Sequence, residues 1–148
     1  MSFVVDTSIV AKIFLAEADR DKALGLLASA IRSEARLIAS SLMLYELNNA
    51  LISKGATGKH YDTAMTTVMN WVRSDVVEIV EPNEALLRRA EAIASMDTQG
   101  KGYISSFDAT FHALALMRGA TFVTADVVYV RKTKAVLGGV ELLQDIQS

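Results

Sequence analysis

Short apolar segments alternate with longer helical segments along this chain, and this alternation restricts the fold more than any other feature of the sequence. Most of the short segments lack the polar–apolar alternation of a strand with one face in water. Strands buried on both faces are typical of parallel sheets covered by helices. The predicted strands are residues 3–5, 36–39, 76–80, 121–124 and about 140–143.

The segments between these strands have apolar residues at helical spacing, and several carry capping residues at their ends. Two predicted helices end at residues 15 and 54. Four others span residues 20–35, 58–73, 83–96 and 105–118. We therefore expect a single domain over residues 1–148, a three-layer α/β/α fold. Its central sheet is predicted to be mostly parallel, with four to five short strands. In such a sheet, ligands bind at the carboxyl ends of the strands.

The composition narrows the classes of function. About half of the residues are hydrophobic and the formal net charge is −2, so the chain has no broad basic surface for nucleic acid. Any nucleic-acid role must depend on local patches or on cations held by acidic groups. The absence of cysteine excludes thiolate metal sites. No apolar run is long enough to cross a membrane, so we expect no membrane association and a cytoplasmic location.

Asp6 and Asp126 each follow a predicted strand directly. In a parallel sheet the two residues would lie at the same edge, although each is equally well explained as a helix N-cap. Glu46 lies on the flank of an apolar helical stripe, with no lysine or arginine three or four residues away. It is a candidate site residue or an ordinary solvated one.

Asp108 is the acid that is hardest to explain structurally. It falls in the first turn of its helix, on the face that carries Ile104, Phe111 and Ala115. A capping box with Ser105 explains an acid in the first turn, but not one on an apolar face. If these acids converge, a cation must offset their repulsion, which is about 3 kcal/mol for a pair 5 Å apart at an effective dielectric near 20. Carboxylate-rich sites favour Mg²⁺ or Mn²⁺, which activate water for attack on a phosphodiester.

The sequence resembles the PIN domains, and within them the VapC-type toxin ribonucleases of prokaryotic toxin–antitoxin pairs. The resemblance covers essentially the whole chain. Three blocks carry it: FVVDTSIVAKIF at 3–14, SLMLYELNNAL at 41–51, and FDATFHALA at 107–115 continuing to TFVTAD at 121–126.

The resemblance implies a PIN-like domain that cleaves RNA as a Mg²⁺- or Mn²⁺-dependent endoribonuclease. The acidic quartet of the family falls on Asp6, Glu46, Asp108 and Asp126. The first three are expected to bind the metal directly or through water, and Asp126 is expected to be a ligand or to orient metal-bound water. The resemblance also implies a homodimer and a cognate antitoxin protein whose tail covers the site. Hydroxyls that could hydrogen-bond the carboxylates are those of Thr7, Ser8 and Thr124.

Two further segments are candidate parts of an RNA-binding surface. The basic segment after Asp126 offers Arg131, Lys132 and Lys134 for phosphates and Tyr129 for stacking on a base. It is equally well read as a solvated surface turn. The glycine-containing loop 99–103 is a candidate lip of the site, or a plain connection.

Two alternatives remain open from the sequence. The first is a catalytically silent PIN-fold module that binds RNA or protein, because an intact acidic quartet does not by itself prove turnover. The second is a phosphate-handling aspartate site on a similar fold. Hydrolases of that kind carry a second aspartate two residues after the first, where this chain has Ser8.

Overall fold

The computed structural model describes residues 1–147 and shows a five-stranded, fully parallel sheet in the order β3-β2-β1-β4-β5. The strands are β1 Ser2–Val5, β2 Arg36–Ser40, β3 Val77–Val80, β4 Thr121–Thr124 and β5 Val140–Leu142. The helices are α1 Thr7–Leu15, α2 Arg20–Ile31, α3 Leu42–Ser53, α4 Gly58–Arg73, α5 Glu84–Ala94, α6 Ser106–Arg118 and α7 Val127–Thr133, and a 3₁₀ turn follows at Leu143–Asp145. The predicted three-layer α/β/α class is confirmed.

The central strand β1 fixes where a site can form. Val4 pairs in parallel register with Ile38 of β2 on one side and with Phe122 of β4 on the other. All three side chains are at most 1% exposed, as expected for strands covered on both faces. The chain runs outward from β1 through β2 to β3 and then returns to β4, so strand order reverses between β1 and β4. The crevice at that reversal is the usual ligand site of such sheets.

Helix α6 is the most deeply buried helix around this crevice. It packs against β1, β2 and β4, and α5 packs against α6. Its caps are those that the sequence predicts: the Ser105 hydroxyl accepts a hydrogen bond from the Asp108 amide at 3.1 Å, and Gly119 ends the helix with a φ of +62°. These caps fix the position at which Asp108 enters the crevice.

Most predicted bounds agree with the structure within two residues, and three differences are described here. Helix α2 ends at Ile31 instead of residue 35, because Ser33 has a φ of +60° and cannot continue the helix. Strand β5 ends at Leu142. The basic segment after Asp126 is the helix α7, which has only seven residues and thus too short an apolar pattern to be recognised.

Among residues 1–147, none of the helices combines the length and the apolar character that crossing a lipid bilayer requires.

Candidate active site

Asp6 is the buried anchor of the candidate site. It follows β1 directly, caps α1 and is 8% exposed. Its Oδ1 accepts hydrogen bonds from the Ser8 amide at 3.1 Å and from the Ser8 hydroxyl at 2.5 Å, and its Oδ2 accepts one from the Thr124 hydroxyl at 2.6 Å. Three donors therefore hold the carboxylate in one orientation.

The same hydroxyls join the ends of β1 and β4. The Ser8 hydroxyl accepts from the Ala125 amide at 3.2 Å, and the Thr124 hydroxyl accepts from the Asp126 amide at 3.1 Å. The Thr124 hydroxyl thus bridges the Asp6 carboxylate and the Asp126 amide, as expected for two strands that end at one sheet edge. Its Oδ1 accepts from the Tyr129 amide at 3.0 Å and caps α7, while the residue remains exposed. Asp6 and Asp126 are therefore both helix caps and neighbours in the crevice.

Burial and nearby negative charge control the pKa of Asp6. Burial raises the pKa from 3.8 to about 6, the hydrogen bonds from Ser8 and Thr124 offset part of that rise, and the charge of Asp108 adds to it. A carboxyl with this pKa binds a proton more tightly than an exposed aspartate does.

Glu46 and Asp108 reach the same space from α3 and α6, and both are half-buried. The Glu46 Oε1 accepts a hydrogen bond from the Thr7 hydroxyl at 3.0 Å. Burial raises the pKa of Glu46, that hydrogen bond lowers it, and the charge of Asp108 raises it further. Burial likewise raises the pKa of Asp108. A hydrogen bond with Ser105 lowers this pKa, the charge of Asp126 raises it, and the charge of Lys132 lowers it. Asp108 therefore interacts electrostatically with the other three acids.

The donor chemistry of these residues fits a divalent cation. They offer carboxylate and hydroxyl oxygens, which Mg²⁺ and Mn²⁺ prefer, and their uncompensated charges repel one another. Within residues 1–147, however, no group of three or more His, Asp or Glu side chains is placed so that it could hold a metal ion. Three of the carboxylates, those of Asp6, Glu46 and Asp126, accept bonds from hydroxyl or amide groups of the protein. The acids are neighbours in one crevice without forming one coordination shell.

The structure contradicts the stacking role predicted for Tyr129. This residue is 3% exposed, its ring packs edge-on against Phe122 and His112, and no face is open to a base. His112 is fully buried, with its Nε2 against the Gly138 carbonyl at 2.7 Å and its Nδ1 2.8 Å from the Tyr129 hydroxyl. Nε2 therefore carries the proton and Nδ1 accepts from the tyrosine.

The Tyr129 hydroxyl lies beside the acidic crevice. Burial is the main cause that raises its pKa above the usual value, and the charges of Asp108, Asp6 and Asp126 raise it further. Tyr129 therefore forms part of the floor of the site. This position cannot be read from the sequence, because the seven residues of α7 are too few to predict the helix that carries Tyr129.

The basic residues of the segment 131–134 have different surroundings. The Lys132 Nζ donates to the Tyr103 carbonyl at 2.8 Å, which ties α7 to loop 99–103, and its charge lowers the pKa of Asp108. Lys134 pairs with Glu141 at 2.9 Å, and Arg131 is exposed. Lys132 is thus the lysine of this segment that acts on the acids.

Two exposed aromatic residues beside the acids were not singled out in the sequence. Tyr45 is 77% exposed and Phe107 is 57% exposed. They line one cavity of about 500 Å³, whose walls are Thr7, Leu42, Tyr45, Glu46, Asn49 and Phe107. The available signal was an aromatic residue immediately before each of two candidate acids, Glu46 and Asp108. A larger open depression beside Pro82 contains none of the four acids.

The chain is similar to one known protein family and to several solved structures. The family model for the PIN domain matches residues 3–135, a range that contains all four acids. VapBC2 from Rickettsia felis, bound to a fragment of promoter DNA, is 18% identical, with 96% of this chain and 98% of that chain covered and a TM-score of 0.66. VapBC-1 from nontypeable Haemophilus influenzae is 17% identical, with 98% and 100% covered and a TM-score of 0.67.

A third similar structure is VapC20 from Mycobacterium tuberculosis, a toxin that cleaves the sarcin-ricin loop. It is 23% identical, with 80% of this chain and 85% of that chain covered and a TM-score of 0.61. No curated protein matches the sequence significantly. At these identities the structural matches show a common fold.

Proposed function

The chain belongs to the PIN domain family, and on this premise we propose that it is a metal-dependent endoribonuclease that acts as the toxin of a type II toxin–antitoxin pair. The observation that carries the proposal is the buried, triply hydrogen-bonded carboxylate of Asp6 with Asp108 in electrostatic contact. These partners are neutral donors, and a buried carboxylate without an opposite charge is costly, so a fold does not need such a group for stability. A cation at the crevice removes that cost.

The proposed roles follow from the placement of each acid. Asp6, Glu46 and Asp108 would hold a Mg²⁺ or Mn²⁺ ion, which when bound supplies positive charge for the phosphodiester and lowers the pKa of water. Ser8 and Thr124 keep Asp6 oriented through hydrogen bonds to both of its oxygens. Thr7 does the same for Glu46.

Asp126 is suited to a different task from the buried acids. Its carboxylate is exposed, so it can orient a water molecule for attack on phosphorus and accept the proton that the water loses. The phosphorus–oxygen bond to the ribose then breaks, and the departing ribose oxygen takes a proton from solvent. Lys132, which already acts on Asp108, would contact a phosphate together with Arg131 and Lys134.

The partners belong to the same proposal. Several structures with this fold are toxin–antitoxin complexes, and one similar toxin cleaves an RNA loop. We therefore include RNA as the substrate, a cognate antitoxin protein, a homodimer and a cytoplasmic location. A silent binding module is the second candidate, because the acids of residues 1–147 do not form one metal-holding group.

The test is a ribonuclease assay on the purified full chain. It would compare Mg²⁺, Mn²⁺ and EDTA, with the variants Asp6→Asn and Asp62→Asn. Asp62 is exposed on α4, so this matched control makes the same charge change outside the crevice. We expect cleavage only with metal, unchanged in Asp62→Asn and reduced at least about 100-fold in Asp6→Asn, since loss of groups that merely orient a ligand already costs 10–100-fold.

Two results would contradict this proposal. Cleavage that survives Asp6→Asn or EDTA would show a contaminant or a different site. Metal binding by calorimetry without cleavage of structured or single-stranded RNA would favour the silent module.

A further inference from the structure

The aromatic cavity beside Glu46 has no role in the proposed chemistry, yet it shares two walls with the acidic site. Thr7 and Glu46, joined by a hydrogen bond, form its inner end. Tyr45 and Phe107 form its exposed sides. The cavity is open to solvent and borders the acidic site at Thr7 and Glu46.

The chain places the two rings there in a regular way. Tyr45 precedes Glu46 on α3, and Phe107 precedes Asp108 on α6. Consecutive helical residues differ by about 100° in direction, so each ring stands beside its acid and not behind it. Two separate helices thus each present an acid toward the crevice and an aromatic ring at its rim.

We propose that this cavity receives an unstacked base of single-stranded or looped RNA, from a nucleotide next to the phosphodiester that is cleaved. This inference rests on the proposed ribonuclease function and adds a binding site for the substrate base. Each base is joined to its phosphate through one ribose, so a phosphate at the acids brings a base into adjacent space. RNA-binding proteins commonly stack such splayed bases on aromatic side chains.

The charges of the cavity favour a base over a phosphate. Its one carboxylate is that of Glu46, and no lysine or arginine lines it. With no basic side chain to bind a phosphate, the rings suit the neutral, planar face of a base better. The exposed amide of Asn49 can both donate and accept a hydrogen bond, as the edge of a base requires.

The same walls argue against a protein side chain as the main occupant. The cores of protein interfaces are depleted of charged residues, whereas this cavity ends on a carboxylate and a hydroxyl. Its volume of about 500 Å³ lies within the range of small-ligand sites. An antitoxin segment or a second copy of the chain remains an outcome that the test distinguishes.

The experiment scans a fluorescent base through a short single-stranded RNA. Oligoribonucleotides with 2-aminopurine at successive positions would be bound to the full chain with Ca²⁺, and stacking would be read from fluorescence quenching. The variants are Tyr45→Ala, Phe107→Ala, the ring-preserving Tyr45→Phe, and Leu87→Ala. Leu87 is an exposed apolar residue on α5 that lies outside the cavity.

We expect quenching at one position or at two adjacent positions in the wild type. It should disappear in the two ring-to-alanine variants and persist in Tyr45→Phe and Leu87→Ala. RNA affinity should fall between about fivefold and about 150-fold for each lost ring, the range that stacking of one base gives. Melting temperatures should stay unchanged, because both rings are exposed.

Three results would overturn the inference. If all variants bind and cleave RNA as the wild type does, the cavity holds no base while the ribonuclease proposal stands. If the alanine variants keep RNA quenching but lose self-association or antitoxin binding, the cavity is a protein-docking surface. If the wild type neither binds nor cleaves any RNA, the ribonuclease proposal fails and this inference fails with it.

Discussion

Replacing Asp6 by asparagine should stabilise the metal-free protein at neutral pH, although it removes the proposed metal ligand. The pKa of this carboxyl is about 6 in the fold and 3.8 for an unperturbed group. The folded state therefore binds the proton more tightly than the unfolded state. The stabilisation is fully present below pH 3.8 and is lost as the pH rises through 6. The difference of about two pH units corresponds to about 3 kcal/mol, of which about 2 kcal/mol falls between pH 4.5 and 7.5.

The asparagine variant lacks this pH dependence but has a hydrogen-bonding cost of its own. When its amide oxygen accepts the bonds from Ser8, its amide nitrogen faces Thr124 and cannot accept the bond that the Thr124 hydroxyl now donates. The loss of one hydrogen bond costs about 1 kcal/mol. We therefore expect the variant to be about 2 kcal/mol more stable than the wild type at pH 7.5. At pH 4.5 the two proteins should be nearly equal.

The assay is urea unfolding in EDTA at a series of pH values, for the wild type, Asp6→Asn and the surface control Asp62→Asn. The difference between wild type and Asp6→Asn removes the contribution of all other titrating groups. A difference that stays flat, or that shrinks toward pH 7.5, would refute the reasoning. Mn²⁺ at about 100 times its dissociation constant should add about 2.7 kcal/mol to the wild type alone and remove the advantage of the variant.

Three further sets of substitutions test the site, the backbone conformation of two glycines and one buried hydrogen bond. Glu46→Gln and Asp108→Asn should each reduce RNA cleavage at least about 100-fold without lowering the melting temperature. A fluorescence gel assay and thermal melts would check this, and cleavage retained by either variant would show that the substituted acid is not part of the site. Gly119→Ala should lower the free energy of unfolding in urea by about 1 kcal/mol, because the φ of Gly119 is +62°. Gly25→Ala lies inside α2 with open space around it and should raise the free energy of unfolding by about 0.5–1 kcal/mol, so equal effects of the two substitutions would contradict this account. Tyr129→Phe removes the donor to a buried imidazole and should cost about 1–3 kcal/mol, and an unchanged unfolding midpoint would show that the bond contributes nothing.

Much of the fold could be predicted because local patterns and long-range pairing agree. Helix α4 spans residues 58–73 and strand β4 spans residues 121–124, as the sequence predicts. The edge argument also predicted which acids meet: Asp6 and Asp126 follow the adjacent strands β1 and β4, and the Thr124 hydroxyl joins them. Their catalytic roles stay predictions that the ribonuclease assay tests.

What the sequence could not show depends on packing between distant segments. The burial of Tyr129 depends on α7, whose seven residues carry too little periodicity, and on His112, which lies seventeen positions away. The contact of Lys132 with loop 99–103 needs the same helix. The cavity between Tyr45 and Phe107 exists only because α3 and α6 converge, which no spacing within either helix reveals.

The pairing of β1 with β4 also has a consequence for biosynthesis. A chain that emerges from the ribosome presents β1 first, and β2 and β3 can join it early, but the partner on its other side is residues 121–124. Until that stretch has been translated, Asp6 lacks the Thr124 hydroxyl and Asp126 is absent. The acidic crevice is therefore completed only when translation of the chain has passed residue 126, so an unfinished copy on the ribosome carries no assembled site.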